Sequence, residues 1–254
     1  MIYIIFLSIT LLVLLIVLYQ AQHFMIFRPT CHRTEILNDE YEYLSIISDD
    51  NYELEGIVYT PPKPNNTILY FGGRSQDSVG MILKLSKSYT NSRIITFNYR
   101  SYGKSEGVVN EKYILQDGLK IAQIIKKNYG DFYLLGFSLG SVVSAFVASR
   151  IDVLGVFMVG SFDSLASVIR SKYYINIKWF LKYKLETKKY ISHVIAPVWI
   201  FGSRADETIP INNTRNLQKY IKNLKLYKEY KSLRHKEILW DENLIEEINR
   251  SVND

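Results

Sequence analysis

The sequence predicts an α/β protein built on a mostly parallel sheet with helices on both faces. From residue 67 onward, short apolar runs alternate with segments of helical periodicity, as expected for strands connected by helices. Glycine-containing turns follow several of these runs, where a strand would lead into a helix. The 254 residues suffice for one domain with a substantial core, and 48% of them are apolar.

The first segment in the chain, residues 2–19, is almost wholly apolar and uncharged. As a helix rising ~1.5 Å per residue it would reach roughly 27 Å, close to the thickness of a hydrocarbon core. A cleaved signal peptide is the alternative, but the apolar stretch is long, no Lys or Arg precedes it, and no small-x-small cleavage site is clear. We therefore predict an uncleaved single-pass anchor over residues 1–20 and a juxtamembrane linker over residues 21–40. Arg28 and Arg33 follow the span and favour a cytoplasmic domain, although the side of the membrane stays open.

The globular domain is predicted over residues 41–254, without an internal repeat or a linker long enough for a second domain. The predicted strands, in chain order, cover residues 41–48, 52–60, 67–71, 93–99, 131–135, 153–159, 197–201 and 226–230. The predicted helices cover residues 79–90, 111–128, 141–150, 214–223 and 237–252. The first two strands are joined by Asp49-Asp50-Asn51, which indicates a hairpin.

Residues 136–140, Gly-Phe-Ser-Leu-Gly, fit the pattern G-x-S-x-G between a predicted strand and a predicted helix. Strand, tight turn and helix are the context that a nucleophile elbow requires. Ser138 would then lie at the strained apex with its hydroxyl accessible. The helix start behind it would offer backbone N–H groups and a positive dipole end to an oxyanion.

Polar groups that complement a serine nucleophile follow other predicted strands, at the edge where the carboxyl ends of parallel strands meet. Gly73 and Arg74 follow the strand over residues 67–71, and one free N–H there would form an oxyanion hole with the N–H of Leu139. Asp206, after the strand over residues 197–201, is the preferred acid, and Asp163 is its competitor.

His235, beyond the last predicted strand, is the preferred catalytic base. His23 and His32 lie beside the predicted membrane span, and His193 precedes a strand instead of following one. The order Ser138, Asp206, His235 is the Ser…Asp…His order of one large hydrolase architecture. In that arrangement the serine attacks an acyl carbonyl, the histidine transfers the proton, and the aspartate orients the imidazole.

Composition and motifs exclude several other classes. The single cysteine, Cys31, excludes a disulfide framework within the chain and a multi-cysteine metal site. No HExxH, P-loop, dinucleotide fingerprint or cluster of metal ligands is visible, so no cofactor and no metal are predicted. The net charge of +6 comes without a nucleic-acid-binding motif, so nucleic acid is not expected as a partner, and the oligomeric state stays unknown.

Four stretches resemble membrane-anchored serine hydrolases of the α/β-hydrolase superfamily, in particular the Bem46/ABHD13-type subgroup. Residues 98–107, Asn-Tyr-Arg-Ser-Tyr-Gly-Lys-Ser-Glu-Gly, are similar to its D-Y-R-G-Y-G-x-S-x-G loop, and residues 27–29 to its aromatic-Arg-Pro stretch. The elbow and residues 202–210 also match. The resemblance implies an α/β-hydrolase fold with a small helical cap at about 161–193 and hydrolysis of carboxylic esters or thioesters. Two positions depart from the subgroup: Phe71-Gly72-Gly73 replaces His-Gly-Asn, and Arg234 replaces the Gly before the base.

The predicted cap is basic and rich in aromatic residues. It carries seven Lys or Arg side chains against Asp163 and Glu186. One hypothesis is that this cap lies on anionic lipid and admits an acyl chain; an ordinary solvated helical face is the alternative. Two further functions stay open at this stage: a non-catalytic membrane-tethered binding protein on a hydrolase scaffold, and a serine peptidase.

Overall fold

A mostly parallel sheet forms the centre of the globular part, in a computed structural model that describes residues 2–32 and 39–253. The strands within those residues are β1 (Tyr41–Ile47), β2 (Glu53–Tyr59), β3 (Asn66–Phe71), β4 (Ser92–Phe97), β5 (Tyr133–Phe137), β6 (Gly155–Val159), β7 (Val198–Ser203) and β8 (Leu224–Tyr230). Their order in the sheet is β1-β2-β4-β3-β5-β6-β7-β8. The β1/β2 and β2/β4 pairs are antiparallel and all other neighbours are parallel, which confirms the predicted fold class.

Helices cover both faces of this sheet. Those of the described residues are α1 (Ile2–Ile26), α2 (Ile82–Ser88), α3 (Glu111–Tyr129), α4 (Leu139–Ala148), α5 (Leu165–Tyr173), α6 (Thr187–Ile191), α7 (Ile211–Leu217), α8 (His235–Ile238) and α9 (Glu242–Asn253). Successive residues of β3 point to opposite faces, because side chains alternate along a strand. Leu69 packs in a core with α3 and α4, whereas Ile68 packs in a second core with α2 and α9.

Two predicted helices are interrupted. The helix predicted over residues 79–90 begins as a 3-10 turn, Val79–Met81, and is α-helical only through α2. The helix predicted over residues 237–252 is divided into α8 and α9. Asp241 explains that break, since its carboxylate accepts a hydrogen bond from the N–H of Leu244 at 3.1 Å and starts a new helix.

The N-terminal apolar helix α1 is long and apolar enough to cross a membrane. It continues to Ile26, six residues beyond the predicted end of the anchor, because its last turns pack on the globular part. Gln22 is 9% exposed and Phe27 is 1% exposed, whereas residues 2–20 are exposed. The linker predicted over residues 21–40 includes residues 33–38, with Arg33, which lie outside the described residues.

The chain between β6 and β7 contains α5 and α6, joined by residues 174–186. This segment corresponds to the cap predicted at about 161–193. It also contacts α1 directly: the Gln22 side chain donates to the backbone oxygen of Phe180 at 3.1 Å and accepts from the N–H of Lys182 at 2.8 Å. The end of α1 and the cap therefore form one packed unit.

Candidate active site

Ser138 lies at the turn between β5 and α4 with an unusual backbone conformation. Its φ is 53° and its ψ is −112°, a region that side-chain-bearing residues rarely occupy. The turn depends on its two glycines, because a Cβ on Gly136 would lie 2.6 Å from the Gly140 oxygen and a Cβ on Gly140 would collide with the Phe71 backbone. This is the sharp strand-turn-helix geometry that the sequence predicts for a nucleophile elbow.

Asp206 and His235 form a buried pair. The imidazole Nδ1 lies 2.7 Å from Asp206 Oδ2, and the two side chains are 8% and 2% exposed. The other carboxylate oxygen of Asp206 accepts hydrogen bonds from the N–H groups of Thr208 at 2.8 Å and Ile209 at 2.7 Å. The carboxylate is thus fixed on both oxygens, and it can hold the imidazole in one orientation and one tautomer.

The neighbours of this pair have separate roles. Glu207 accepts a hydrogen bond from the backbone N–H of His235 at 3.0 Å, which ties the start of α8 to the loop after β7. That hydrogen bond lowers the pKa of Glu207. The Arg234 side chain is 70% exposed and its guanidinium lies 3.8 Å from Glu207, so its charge is directed to the surface.

Ser138 and His235 lie on the same edge of the sheet. The His235 ring lies over the ring of Phe137, the residue before the serine, with 4.9 Å between centroids. A Cβ on Gly160 would lie 3.0 Å from His235 Cε1, so the glycine after β6 gives the imidazole its space. Within residues 2–32 and 39–253, the serine hydroxyl makes no hydrogen bond to the imidazole. Catalytic hydrogen bonds are often long in the free enzyme and tighten with substrate.

The loop after β3 carries the predicted oxyanion donors, Gly73 and Arg74. The N–H of Gly73 donates to Gln76 Oε1 at 2.7 Å, so this group is already paired with a side chain of its own loop. Arg74 is the alternative donor from this loop. Its backbone oxygen accepts from the N–H of Arg28 and the hydroxyl of Tyr102, and its guanidinium donates to the Met25 oxygen at 2.8 Å.

The competing residues are placed elsewhere. Asp163 is buried and accepts a hydrogen bond from Asn213 Nδ2 at 3.1 Å, away from the imidazole of His235. His193 is bonded to its own helix through Ser192 and Lys189. His23 contacts the Tyr183 hydroxyl at 3.0 Å, at the junction of α1 and the cap.

Sequence analysis did not identify the residues that hold the Gly73–Arg74 loop. Gln76 accepts from both the Gly73 N–H and the Tyr70 hydroxyl. Its spacing, three residues after Gly73, is that of a side chain returning to a turn, a pattern too common to predict a role. Tyr102 belongs to the resembling stretch at residues 98–107, but no sequence pattern shows that its hydroxyl reaches Arg74.

Several solved structures that resemble this fold are esterases or hydrolases. The chain superposes on the esterase Pf2001 of Pyrococcus furiosus with a TM-score of 0.68 at 17% identity, covering 88% of this chain and 97% of the esterase. It superposes on the α/β hydrolase GrgF of Penicillium sp. sh18 with a TM-score of 0.67 at 13% identity, covering 84% and 96%. The chain therefore has the α/β-hydrolase fold of these proteins. This likeness confirms the predicted fold, and the Bem46/ABHD13-type subgroup stays a prediction.

Curated proteins that resemble this chain in sequence include two lipases, whereas no family model matches the sequence. The chain is 24% identical over 145 residues to lysophosphatidylserine lipase ABHD12 of Danio rerio, covering 49% of this chain and 38% of the relative. It is 23% identical over 161 residues to the same lipase of Macaca fascicularis, covering 54% and 40%. The matched region thus spans less than half the length of either lipase.

Proposed function

We propose that this protein is a serine hydrolase that cleaves carboxylic esters or thioesters through Ser138, Asp206 and His235. The observation that carries the proposal is the buried 2.7 Å pair of Asp206 and His235, on the edge of the sheet where Ser138 occupies a strained turn. The match to lysophosphatidylserine lipases supports an ester substrate with an acyl chain, although it covers only part of those proteins.

Each side chain has a distinct task in the proposed reaction. The Ser138 hydroxyl attacks the acyl carbonyl while His235 Nε2 accepts its proton. The imidazolium that forms is stabilised by Asp206, whose position is fixed by the N–H groups of Thr208 and Ile209. His235 then returns the proton to the leaving oxygen or sulfur. Water, activated by the same imidazole, cleaves the acyl-enzyme.

The negative charge on the substrate oxygen requires preorganised donors. We assign this role to the N–H groups of Leu139, the first residue of α4, and Arg74. Gly73 is left out, because its N–H is held by Gln76. Removing one such donor typically costs about 100- to 1,000-fold in kcat.

We also propose that α1 is an uncleaved membrane anchor and that the substrate is lipid-like. A helix of 25 residues, with its first 19 exposed, matches a hydrocarbon core. Removal of α1 as a signal peptide would remove Gln22, which is buried and bonded to the cap. Exposed aromatic side chains of the cap, such as Tyr174 (91% exposed) and Trp179 (80% exposed), are suited to a membrane interface.

A fluorophosphonate probe tests the hydrolase proposal directly. The full-length protein in detergent should be labelled at Ser138, and Ser138→Ala should not be labelled. Ser141→Ala is the matched control, since Ser141 is buried in the same helix and its hydroxyl bonds to the Gly136 oxygen at 2.9 Å. Absence of labelling in the parent protein would instead favour the non-catalytic binding protein.

The substrate class is tested separately with p-nitrophenyl esters of increasing chain length beside a peptide panel. A rise in kcat/KM with acyl length supports an acyl-ester hydrolase. Turnover of peptides but not of esters would overturn this substrate class and favour a serine peptidase.

A further inference from the structure

A cavity lies where α1 meets the globular part, and none of Ser138, Asp206 and His235 lines it. Its volume is about 930 Å³. Small-molecule sites usually enclose ~300–1,000 Å³, so the space can hold a large part of a lipid-sized ligand. Its walls come from the end of α1, from the start of α3 with the loop before it, and from the cap at Lys182, Tyr183 and Tyr190.

The cavity begins at the depth where the proposed membrane span ends. Gln20 is the last residue of the continuously exposed stretch of α1 and lines the cavity, and Gln22, two residues on, is buried against the cap. If the exposed part of α1 crosses the hydrocarbon region, this cavity lies at the level of the lipid headgroups. Lipid molecules are therefore the ligands with direct access to it.

The walls combine apolar and cationic groups. Phe24 and Val108 line the cavity and are 76% and 65% exposed, so they offer apolar surface to an acyl chain. Lys112 and Lys182 also line it. The Lys182 ammonium lies 3.0 Å from Gln20 Oε1 and 5.8 Å from the ring centroid of Tyr19, which places this cation beside α1.

The carboxylate that lines the same cavity is already engaged. Glu111 accepts hydrogen bonds from the backbone N–H groups of Lys184 at 2.6 Å and Leu185 at 2.7 Å. Its charge is therefore committed to holding the cap against the start of α3. Among the described residues that line the cavity, Lys112 and Lys182 are left as the basic side chains available to an anionic ligand.

We propose that this cavity binds one anionic phospholipid, with its phosphate near Lys112 and Lys182 and an acyl chain along Phe24 and Val108. Inorganic phosphate shares the charge but would leave the apolar wall uncovered, so the lipid is the occupant that uses both features. The inference rests on the proposed membrane insertion of α1 and is independent of hydrolysis. Such a lipid would stabilise the contact between α1, α3 and the cap.

The test uses the full-length Ser138→Ala protein in phosphatidylcholine vesicles, so that hydrolysis cannot remove the probe. A phosphatidylglycerol with a diazirine in one acyl chain is photolysed, and the labelled residues are located by mass spectrometry. Labelling should fall on the cavity walls and should decrease about tenfold in Lys112→Gln/Lys182→Gln, because each basic residue near an anionic headgroup contributes to binding. The matched control, Lys127→Gln/Lys189→Gln, removes one exposed lysine from α3 and one from α6 and should label like the parent.

Three outcomes would overturn the lipid site. These are an equal loss of labelling in both double variants, equal labelling by a phosphatidylcholine diazirine probe, and full displacement of the probe by inorganic phosphate.

Flotation of the same samples with the vesicles reports separately on the anchor. Flotation without cavity labelling would reject the lipid site alone, and loss of flotation in the parent would reject the anchor and this inference with it. Fluorophosphonate labelling of the protein with Ser138 intact reports on hydrolysis in either case.

Discussion

The two halves of the proposed active site are held in different ways. In the acid–base half, Asp206 is fixed by the N–H groups of Thr208 and Ile209, both within three residues of it, and by His235. The acid–base half therefore lies entirely in two short segments, which are the loop after β7 and the start of α8.

In the oxyanion half, the position of Arg74 depends on residues distant in sequence. Arg28 and Met25 come from the segment at and after the end of α1, and Tyr102 comes from the loop after β4. This difference implies that the acid–base pair tolerates disturbance of α1, whereas the oxyanion donor is coupled to it. Disturbance of α1 is thus expected to affect the rate of acylation without affecting the pairing of His235.

The largest expected effect comes from breaking the acid–base half. Asp206→Asn should reduce kcat on ester substrates by roughly 10,000-fold, because the amide favours the wrong imidazole tautomer. Asp163→Asn is the matched control, since Asp163 is also buried after a neighbouring strand but bonds to Asn213. Steady-state kinetics of both variants decide which aspartate orients the imidazole. A similar loss of kcat in Asp163→Asn would contradict the assignment of this role to Asp206.

A second prediction concerns the stability of the loop that carries Tyr102. Arg100 is 2% exposed and donates to Asp117 at 2.7 and 2.9 Å and to Asp50 at 2.7 and 2.6 Å. Asp117→Ala should lower the free energy of unfolding by about 3 kcal/mol, because it leaves a buried guanidinium with half of its partners. Denaturant unfolding of the full-length protein in detergent measures this change.

The control for Asp117 is Asp49→Ala. Asp49 is 80% exposed and pairs with Lys120 at 2.7 Å, so its removal should change the free energy of unfolding by ~0.5 kcal/mol or less. Equal changes in the free energy of unfolding for Asp117→Ala and Asp49→Ala would show that burial does not determine how much the ion pairs of Arg100 stabilise the fold.

A smaller effect is expected from the oxyanion half. Tyr102→Phe removes the hydroxyl that contacts the Arg74 oxygen and the Arg28 N–H, while the buried ring remains. We expect kcat to fall roughly tenfold with little change in KM, because a displaced donor weakens binding of the transition state more than of the substrate. Tyr59→Phe removes a hydroxyl that donates to the Thr90 oxygen at 3.5 Å and should leave both constants unchanged. A change in KM alone would contradict the proposed role of Tyr102.

Much of the acid–base half could be predicted from the sequence. Ser138 and Asp206 follow strands that apolar runs reveal, His235 follows the last predicted strand, and the carboxyl ends of parallel strands meet at one edge. The helix breaks at residues 82 and 241 could not be predicted in this way, because they depend on a 3-10 turn and on one capping carboxylate.

The oxyanion half was much less predictable. Whether the N–H of Gly73 or of Arg74 is free depends on the rotamer of Gln76, which no sequence pattern specifies. The contacts of Arg74 with Met25 and Tyr102 join segments separated by 49 and 28 residues in the chain. Such pairings follow from the assembled fold and not from local periodicity.

The smallest expected effect concerns a cluster that supports the acid loop from β8. Hydrogen bonds from Arg215, and further ones from Arg204 and Tyr227, lower the pKa of Glu229 to about 2. An unfolded glutamate has a pKa of ~4.3, so the ionised carboxylate stabilises the fold fully above that pH, and this contribution is lost as the pH falls towards 2.

Glu229→Gln should therefore lower the melting temperature at pH 7, and the difference from the parent should shrink at pH 3. Glu246→Gln, on the exposed face of α9, should show no such pH-dependent difference. A difference for Glu229→Gln that is equal at pH 7 and pH 3 would show that the carboxylate's charge does not hold Arg204, and that the acid loop is fixed by the hydrogen bonds of Asp206 alone.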